Sequence, residues 1–445
     1  MKLHIEKRYN EGTQQASFYC CLMDVIAIGK TTSHASGIKF GIKRADRCQH
    51  AYIVGQTGTG KSTLIKNMAI QDMREGHGLA LIDPHGELVE DILNFVPRSR
   101  TNDVIYFNPA DIENPIGLNV LEYRDENEKQ LVASSLISVF KHMWKDFWGP
   151  RLEHVFHNAI LALMDTPGST LLGVYRMLAD DEYRKEIVGR VKDPIVKLFW
   201  EKDFAEYPPQ LRKEVASPIQ NKIGQLLTST QLRNIVGQSS STVDLAHAMN
   251  HQQILLVNLA KGKIGEDKAN LLGSVLVTKL YLAALERQAI PEENRKDFYL
   301  YIDEFQNFST DVFPSILSEA RKYKLNLILA HQYIHQLSEN VKHAVFGNVG
   351  TIIAFRVGSI DARELEYEFQ PAFGVHDLEQ NENHHIYLKL MIDGKRSLPF
   401  SAETLPPLSR IGDEASKNVL IQVSRERFAS RREDVESKIE KWMAS

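Results

Sequence analysis

Residues Ala51 to Ser62 read AYIVGQTGTGKS, a short apolar run followed by a glycine-rich loop that ends in lysine and serine. The loop from Gly55 to Ser62 matches the pattern G-x-x-x-x-G-K-[ST] at every position. The apolar run before the loop predicts a buried strand, and the residues from Leu64 to Ala69 have the spacing of a helix. Strand, loop and helix therefore follow one another in the order that a phosphate-binding loop requires.

Each part of this loop has a predicted role in binding a nucleoside triphosphate. Glycines let the backbone fold around an anion, so that amide N–H groups and the positive end of the next helix point at the phosphates. We expect Lys61 to contact the phosphates as a mobile cation and the Ser62 hydroxyl to ligate Mg²⁺. The residues expected to bind the nucleotide are Gly55, Gln56, Thr57, Gly58, Thr59, Gly60, Lys61, Ser62 and Thr63.

Further apolar runs bounded by turn residues predict the other strands of a mainly parallel sheet. These runs are Leu79 to Ile82, Val104 to Phe107, Ile254 to Leu259, Phe298 to Ile302, Leu325 to Ala330 and Thr351 to Phe355. Their spacing leaves room for crossover helices, which indicates a doubly wound α/β fold. Ile386 to Met391 alternates instead, and predicts an antiparallel edge strand or a hairpin that turns at Asp393-Gly394.

The pattern changes to helical runs without a clear strand over residues 121–249, which predicts an all-helical insertion. We expect the α/β core to comprise residues 47–120 and 250–400. Residues 1–46 are expected to form a small β-rich segment, and residues 401–445 a helical tail.

The run Phe298 to Ile302 ends in the acid pair Asp303-Glu304. Carboxylates at the mouth of a buried strand are unfavourable unless a charged partner meets them. We expect Asp303 to bind Mg²⁺ through water and Glu304 to polarise an attacking water as a general base. The alternative is that the pair caps a helix near Asp311 to Tyr323.

Three other polar residues follow predicted strands. Gln332 is a candidate to contact the γ-phosphate or the attacking water. Asp83, which precedes Pro84, fits a helix cap and a catalytic role equally well. Arg356 could reach a neighbouring subunit's γ-phosphate as an arginine finger, although its spacing alone favours an ordinary surface arginine.

Composition excludes disordered, collagen-like and disulfide-stapled proteins. With 43% hydrophobic and 25% charged residues, the chain is an ordinary globular protein, and 53 Lys and Arg against 57 Asp and Glu give no overall basic charge. Its three cysteines cannot form a disulfide framework, which favours a reducing cytoplasm. The paired histidines, such as His331 with His335 and His384 with His385, lack a third ligand, so we do not expect zinc.

Taken together and in this order, the motifs resemble the HerA/FtsK branch of P-loop motor ATPases, and within it the coupling-protein ATPases of conjugation and type IV secretion. The motifs are HAYIVGQTGTGKSTL, LALIDPHGEL, WGPRLEHVFHNAILAL, TLLGVYRML, QILLVNLAKGKIGED, FYLYIDEFQNF, SEARKYKLNLILAHQ and GNVGTIIAFRVGSIDA. The resemblance implies a RecA-like P-loop NTPase core with an all-helical inserted domain. It also implies that Asp303 binds Mg²⁺, Glu304 is the base, Gln332 ends the next strand and Arg356 acts in trans.

The same resemblance implies a homo-oligomeric, usually hexameric, ring that hydrolyses ATP with Mg²⁺ and moves single-stranded or duplex DNA. Lys261, Lys263 and Lys268 are candidate contacts in its channel, with a solvated turn as the alternative. Two other functions stay open: a secretion or assembly ATPase that acts on protein, and a regulatory or defence ATPase that serves a partner effector. Coupling proteins commonly carry an N-terminal membrane anchor, which is not found in this sequence. We therefore expect a cytoplasmic protein that reaches the membrane only through a partner, with no direct insertion.

Overall fold

The computed structural model describes residues 24–32, 36–410, 412 and 414–444. Its centre is an 11-stranded sheet with the order β2-β1-β13-β10-β9-β3-β8-β7-β4-β6-β5, and β11 and β12 form a separate hairpin. The strands are β1 Val25–Thr31, β2 Lys39–Lys43, β3 Ala51–Val54, β4 Gly78–Asp83, β5 Val104–Phe107, β6 Ile254–Asn258, β7 Phe298–Ile302, β8 Leu325–His331, β9 Thr351–Ala354, β10 His385–Lys389, β11 Met391–Ile392, β12 Lys395–Arg396 and β13 Phe400–Thr404.

The strands from β9 to β5 in this order pair in parallel, and they include all the apolar runs that predict parallel strands. The strands β10, β13, β1 and β2 extend the sheet with antiparallel pairings beyond β9. The predicted α/β fold with a mainly parallel sheet is therefore confirmed.

The antiparallel part differs from the expectation in two places. The strand β10 is not at an edge, because it pairs with β9 on one side and β13 on the other. Its alternating pattern arises because one face is fully buried, through Ile386 and Leu388, while the other is only half-buried. The strand β13 takes up residues 401–404 of the segment for which we expect a helical tail, residues 401–445. Asp393 and Gly394, with φ of 50° and 75°, form the expected turn, and it joins β11 to β12.

The helices connect and cover these strands. They are α1 Arg44–Arg47, α2 Lys61–Arg74, α3 Glu87–Ile92, α4 Glu126–Met143, α5 Pro150–Met164, α6 Leu171–Ala179, α7 Asp181–Arg190, α8 Pro194–Leu198, α9 Phe204–Glu206, α10 Pro209–Leu227, α11 Thr230–Val236, α12 Leu245–Asn250, α13 Lys261–Ile264, α14 Glu266–Leu285, α15 Phe313–Glu319, α16 Glu339–Asn348, α17 Ser359–Phe369, α18 Val375–Gln380, α19 Glu414–Phe428 and α20 Arg432–Ala444.

The helical segment from α4 to α12 lies in sequence between β5 and β6. Its buried side chains join those of one face of the sheet in a single continuous hydrophobic core. A second core lies on the opposite face, where α2 and α3 pack. The helical segment and the sheet are thus held together by apolar burial, which is the main stabilising term in folding.

Two further helical segments complete the fold. Among the described residues, Glu266–Ala289 is the one helical segment long and apolar enough to span a membrane, and 78% of its most apolar window is buried inside the protein. The helix α19 packs along the β5 edge, where the backbone N–H of Tyr106 donates to Ser424 Oγ at 2.8 Å. This contact covers a sheet edge that would otherwise expose unpaired backbone groups.

Candidate active site

The strand registers bring the predicted site residues to one edge of the sheet. Val54 at the end of β3 is aligned with His331 of β8 and with Ala354 of β9. Ile302 of β7 is aligned with Ile82 of β4. The phosphate loop, the acid pair, Gln332 and Arg356 directly follow these strand ends, so they meet at the carboxyl edge, where open α/β sheets bind ligands.

Two glycines shape the phosphate loop. Gly58 and Gly60 have φ of 79° and 120°, in the left-handed region that side chains rarely adopt. A Cβ atom on Gly60 would also lie 3.1 Å from Phe355 Cε1 and 2.8 Å from His384 Nδ1. The chain therefore enters α2 at Lys61 through a conformation that glycine alone accommodates well.

Lys61 folds back over its own loop. Its Nζ donates to the backbone oxygens of Gly55 at 2.5 Å and Gln56 at 3.1 Å, and the residue is only 6% exposed. Burial lowers the pKa of Lys61, while the nearby charges of Glu304 and Asp303 oppose that shift. Phosphate oxygens would be stronger acceptors for this ammonium than the neutral carbonyls that it contacts here.

Asp303 lies in a cluster of acids at the end of β7. Burial, together with the charges of Asp83 and Glu304, raises the pKa of Asp303 from 3.8 to about 7, although Lys61 opposes the shift. A hard divalent cation would stabilise the ionised carboxylate, and Mg²⁺ prefers oxygen ligands of this kind. The residues present at this position therefore fit a magnesium ion.

Glu304 has a strained backbone, with φ of 48° in the left-handed region. Gln306 Nε2 donates to Glu304 Oε2 at 2.7 Å and holds the carboxylate in place. Neither acid caps the helix that follows, because α15 begins at Phe313 without a side-chain cap. The alternative in which Asp303 and Glu304 cap this helix is therefore wrong.

Asp83, by contrast, acts as a cap. Its Oδ1 accepts from the His85 backbone N–H at 2.8 Å, and its Oδ2 accepts from the backbone N–H groups of Leu88 and Val89 at 2.9 and 3.1 Å. These bonds satisfy backbone donors at the start of α3. Of the two roles that the sequence leaves open for Asp83, the structure shows the cap, from which its charge also reaches Asp303.

Gln332 and Arg356 both contact the phosphate loop of their own chain. Gln332 Nε2 donates to Thr57 Oγ1 at the tip of the loop. Arg356 donates to Gln56 Oε1 and to the backbone oxygen of Asn381, each at 3.4 Å. The two residues therefore flank the loop, Gln332 from β8 and Arg356 from β9.

His331 is fully buried beneath the loop, and its Nδ1 lies 3.0 Å from the Tyr52 hydroxyl. Burial lowers the pKa of His331 to about 3, so the imidazole is neutral. His335, its partner in the sequence pattern, lies on the surface with Nδ1 3.5 Å from Asp361 Oδ1. The two histidines therefore differ in burial and contact different partners.

A buried ionic cluster ties the phosphate-loop helix to the strand that carries the acids. Asp72 of α2 is fully buried and accepts from Arg47 Nη1 at 2.6 Å and Nη2 at 2.9 Å. The Tyr301 hydroxyl of β7 also donates to Asp72 Oδ2. Breaking such a pair strongly destabilises a fold, because the remaining charge stays buried without a partner.

Sequence reasoning missed three residues at this site. Gln306 lies two positions after Glu304 and donates a hydrogen bond to it. The sequence signal for this contact is a polar side chain so close to the acid pair. The sequence presents His384 only as one of a histidine pair and Phe355 only as the end of a strand. Nothing in the local sequence indicates that either residue contacts the loop, because both reach it through the tertiary fold.

Comparison with known proteins places these observations in a family. The model of the type IV secretion-system coupling protein DNA-binding domain matches residues 33–388. No protein with a curated description matches the chain.

Solved structures share the fold at low sequence identity. The bacterial conjugative coupling protein TrwB, in an unbound monoclinic form, is 13% identical with a TM-score of 0.61, covering 84% of this chain and 89% of that one. TrwB in complex with ADP and Mg²⁺ is 13% identical with a TM-score of 0.62, covering 88% and 97%. VirB4 of Thermoanaerobacter pseudethanolicus is 15% identical with a TM-score of 0.58, covering 86% and 96%. Since the family model spans most of its length, this chain belongs to the family of type IV secretion-system coupling protein DNA-binding domains.

Proposed function

We propose that this chain is a Mg²⁺-dependent ATPase that uses hydrolysis to move DNA as part of a homo-oligomeric ring. The observation that carries the proposal is the convergence of Lys61, Asp303, Glu304 and Gln332 at one edge of the sheet, on three different strand ends. Membership of a coupling-protein DNA-binding family supports DNA as the polymer. A relative of the same fold in complex with ADP and Mg²⁺ supports the choice of nucleotide and metal.

The residues divide the chemistry of phosphoryl transfer between them. The backbone N–H groups of residues 55–63 and the Lys61 ammonium bind the phosphates, and Ser62 and Asp303 would hold the magnesium ion. When bound, the ion supplies positive charge that offsets the charge developing on the phosphate oxygens. The cap that fixes Asp83 keeps a second negative charge near Asp303, which strengthens the preference of the site for a cation.

Glu304 accepts a proton from the attacking water as general base. Its strained backbone and the hydrogen bond from Gln306 fix the carboxylate before any nucleotide arrives, which reduces the reorganisation needed in the transition state. We propose that Gln332, which contacts Thr57, senses the γ-phosphate.

Arg356 acts on the nucleotide of a neighbouring subunit. It follows β9, which pairs with β3 on the side opposite to β8 and β7, so it lies on the flank away from the acids of its own chain. Its long contacts to Gln56 and Asn381, at 3.4 Å each, are easily exchanged for a charged phosphate oxygen. A ring in which each Arg356 faces the next subunit, usually of six copies in this family, would complete every site.

We propose that the lysines that follow β6, which are Lys261, Lys263 and Lys268, contact DNA phosphates. Lys261 and Lys263 lie on the short helix α13 at the carboxyl edge of the sheet, and Lys263 is exposed. Lys268 differs, because its Nζ donates to Ser229 Oγ at 3.3 Å and contacts the helical segment. A ring repeats the same few lysines around one axis, and counterion release favours each phosphate contact despite a net charge of −4.

Steady-state ATP hydrolysis with and without single-stranded and duplex DNA tests this function, at low and moderate salt and alongside the mass in solution. We expect several-fold stimulation that fades with salt, on a particle several times the 50.6 kDa of one chain. Lys61→Ala should abolish nucleotide binding. Lys66→Ala is a matched control on the same helix, because Lys66 pairs with Asp91 at 2.7 Å outside the site. Hydrolysis indifferent to DNA would refute the DNA motor, and no hydrolysis would refute the ATPase.

A further inference from the structure

His384 comes from a part of the chain remote in sequence, yet it is attached to the phosphate loop. Its backbone N–H donates to the Thr59 oxygen at 2.8 Å. On its other side, its backbone oxygen accepts from Thr404 N at 2.8 Å and from Thr404 Oγ1 at 3.2 Å. These bonds fix the residue between the loop and β13, while its side chain stays exposed.

The backbone of His384 is held in an unfavourable conformation, with φ of 68°. Strain of this kind persists where surrounding contacts determine the backbone, and it is concentrated at functional sites. The imidazole lies against Gly60, since a Cβ atom there would be 2.8 Å from His384 Nδ1 and 3.5 Å from Cε1. An exposed aromatic ring is therefore held beside the first turn of α2, where phosphates bind in loops of this type.

The sheet order decides which part of a nucleotide this ring would meet. The acids follow β7, two strands from β3 on one side, and His384 precedes β10, two strands from β3 on the other side. A nucleoside triphosphate whose γ-phosphate faces the acids extends its ribose and base in the opposite direction. That direction leads to the flank where His384 lies.

We propose that His384 binds the nucleoside part of the nucleotide, by stacking its imidazole on the base or by hydrogen bonding to the ribose. An imidazole has both a π-face and ring nitrogens, so it suits either contact. Glu382 and Asn383 are exposed next to it and would extend the same wall. The inference rests on the proposed nucleotide site and adds a residue that binds nucleoside rather than phosphate.

The test separates the nucleoside from the phosphates. His384→Asn and His384→Gly remove the ring but tolerate a positive φ, so they keep the loop attached. His385→Asn is the matched control, because this neighbouring ring is half-buried and lies near Glu382, at 3.9 Å. Calorimetry on the full chain with Mg²⁺ would measure binding of ATP, ADP and inorganic tripolyphosphate.

We expect both His384 variants to bind ATP and ADP about tenfold more weakly, which is the size of one stacking or hydrogen-bonding contact. Tripolyphosphate binding should be unchanged, and His385→Asn should behave as the wild type. Equal losses for ATP and tripolyphosphate would overturn the inference, because His384 would then only shape the loop. Unchanged ATP binding would overturn it as well. Failure of the wild-type chain to bind ATP would instead refute the proposed function itself.

Discussion

The substitution Asp303→Asn should make the metal-free protein more stable while it abolishes magnesium-dependent hydrolysis. The carboxylate of Asp303 is buried near Asp83 and Glu304, so ionising it in the folded state is unfavourable. Asparagine has nearly the same shape and no charge. The gain in stability therefore measures how strongly the fold sets up this position for a cation.

The magnitude follows from the pKa of Asp303, which rises from 3.8 to about 7 in the folded protein. Because the folded pKa is raised, folding favours the protonated form, and stability is lost as the pH rises from about 4 through about 7. Above pH 8 the full loss is roughly 4 kcal/mol, and below pH 4 it vanishes. The benefit of Asp303→Asn should follow the same curve, near zero in acid and largest in base.

Chemical denaturation of the two proteins with a chelator present, at pH 5 and at pH 8.5, measures this difference. Magnesium should then stabilise the wild type at pH 8.5 but leave Asp303→Asn unchanged, since the ligand is gone. Glu304→Gln should give a smaller gain, because it removes only one of the charges that raise the pKa of Asp303 and its own side chain is half-exposed. If Asp303→Asn raised the free energy of unfolding equally at both pH values, or not at all at pH 8.5, ionisation of Asp303 would not be unfavourable in the folded protein and the reasoning would be refuted.

Other parts of the site give further predictions. Asp72→Ala should lower the free energy of unfolding by about 3–5 kcal/mol, because Arg47 stays buried without its partner; a loss under about 1 kcal/mol in denaturant titrations would contradict this. Arg356→Ala should stop ATP turnover, and mixing it with Glu304→Gln subunits should restore activity; the absence of such rescue in mixed assemblies would count against action in trans. Gly60→Ala should abolish nucleotide binding measured by calorimetry, because φ of 120° and the close His384 ring both exclude a Cβ atom.

The sequence predicts the parallel sheet well because each of its strands is buried on both faces. The run Phe298 to Ile302, for example, coincides with β7 residue for residue, and its burial is complete. Continuous apolar runs of this kind depend little on what lies beside them. The phosphate loop and the acid pair follow such runs directly, so their place at the sheet edge is set by the strands.

The features that the sequence does not predict depend on contacts between distant segments. The placement of β10 inside the sheet needs β13 beside it, and no local pattern indicates that pairing. Asp83 illustrates a different limit, since a helix cap and a metal ligand require the same residue type at a strand end. The hydrogen bonds that its two oxygens accept identify it as a cap. His384 contacts a loop that lies more than 300 residues away in the chain.

Two backbone hydrogen bonds attach the phosphate loop to the residues next to β9 and β10. The Gln56 backbone N–H donates to the Arg356 oxygen at 2.8 Å, and the Thr59 oxygen accepts from His384 N at 2.8 Å. Both bonds join the phosphate loop to residues for which we propose roles at a nucleotide, one in the same subunit and one in the next. A movement of Arg356 toward a neighbour's phosphate would break its contact with the Gln56 side chain while the backbone bond remains. If Arg356 acts in trans in the proposed ring, the nucleotide state of one subunit would reach the phosphate loop of the next through this single residue.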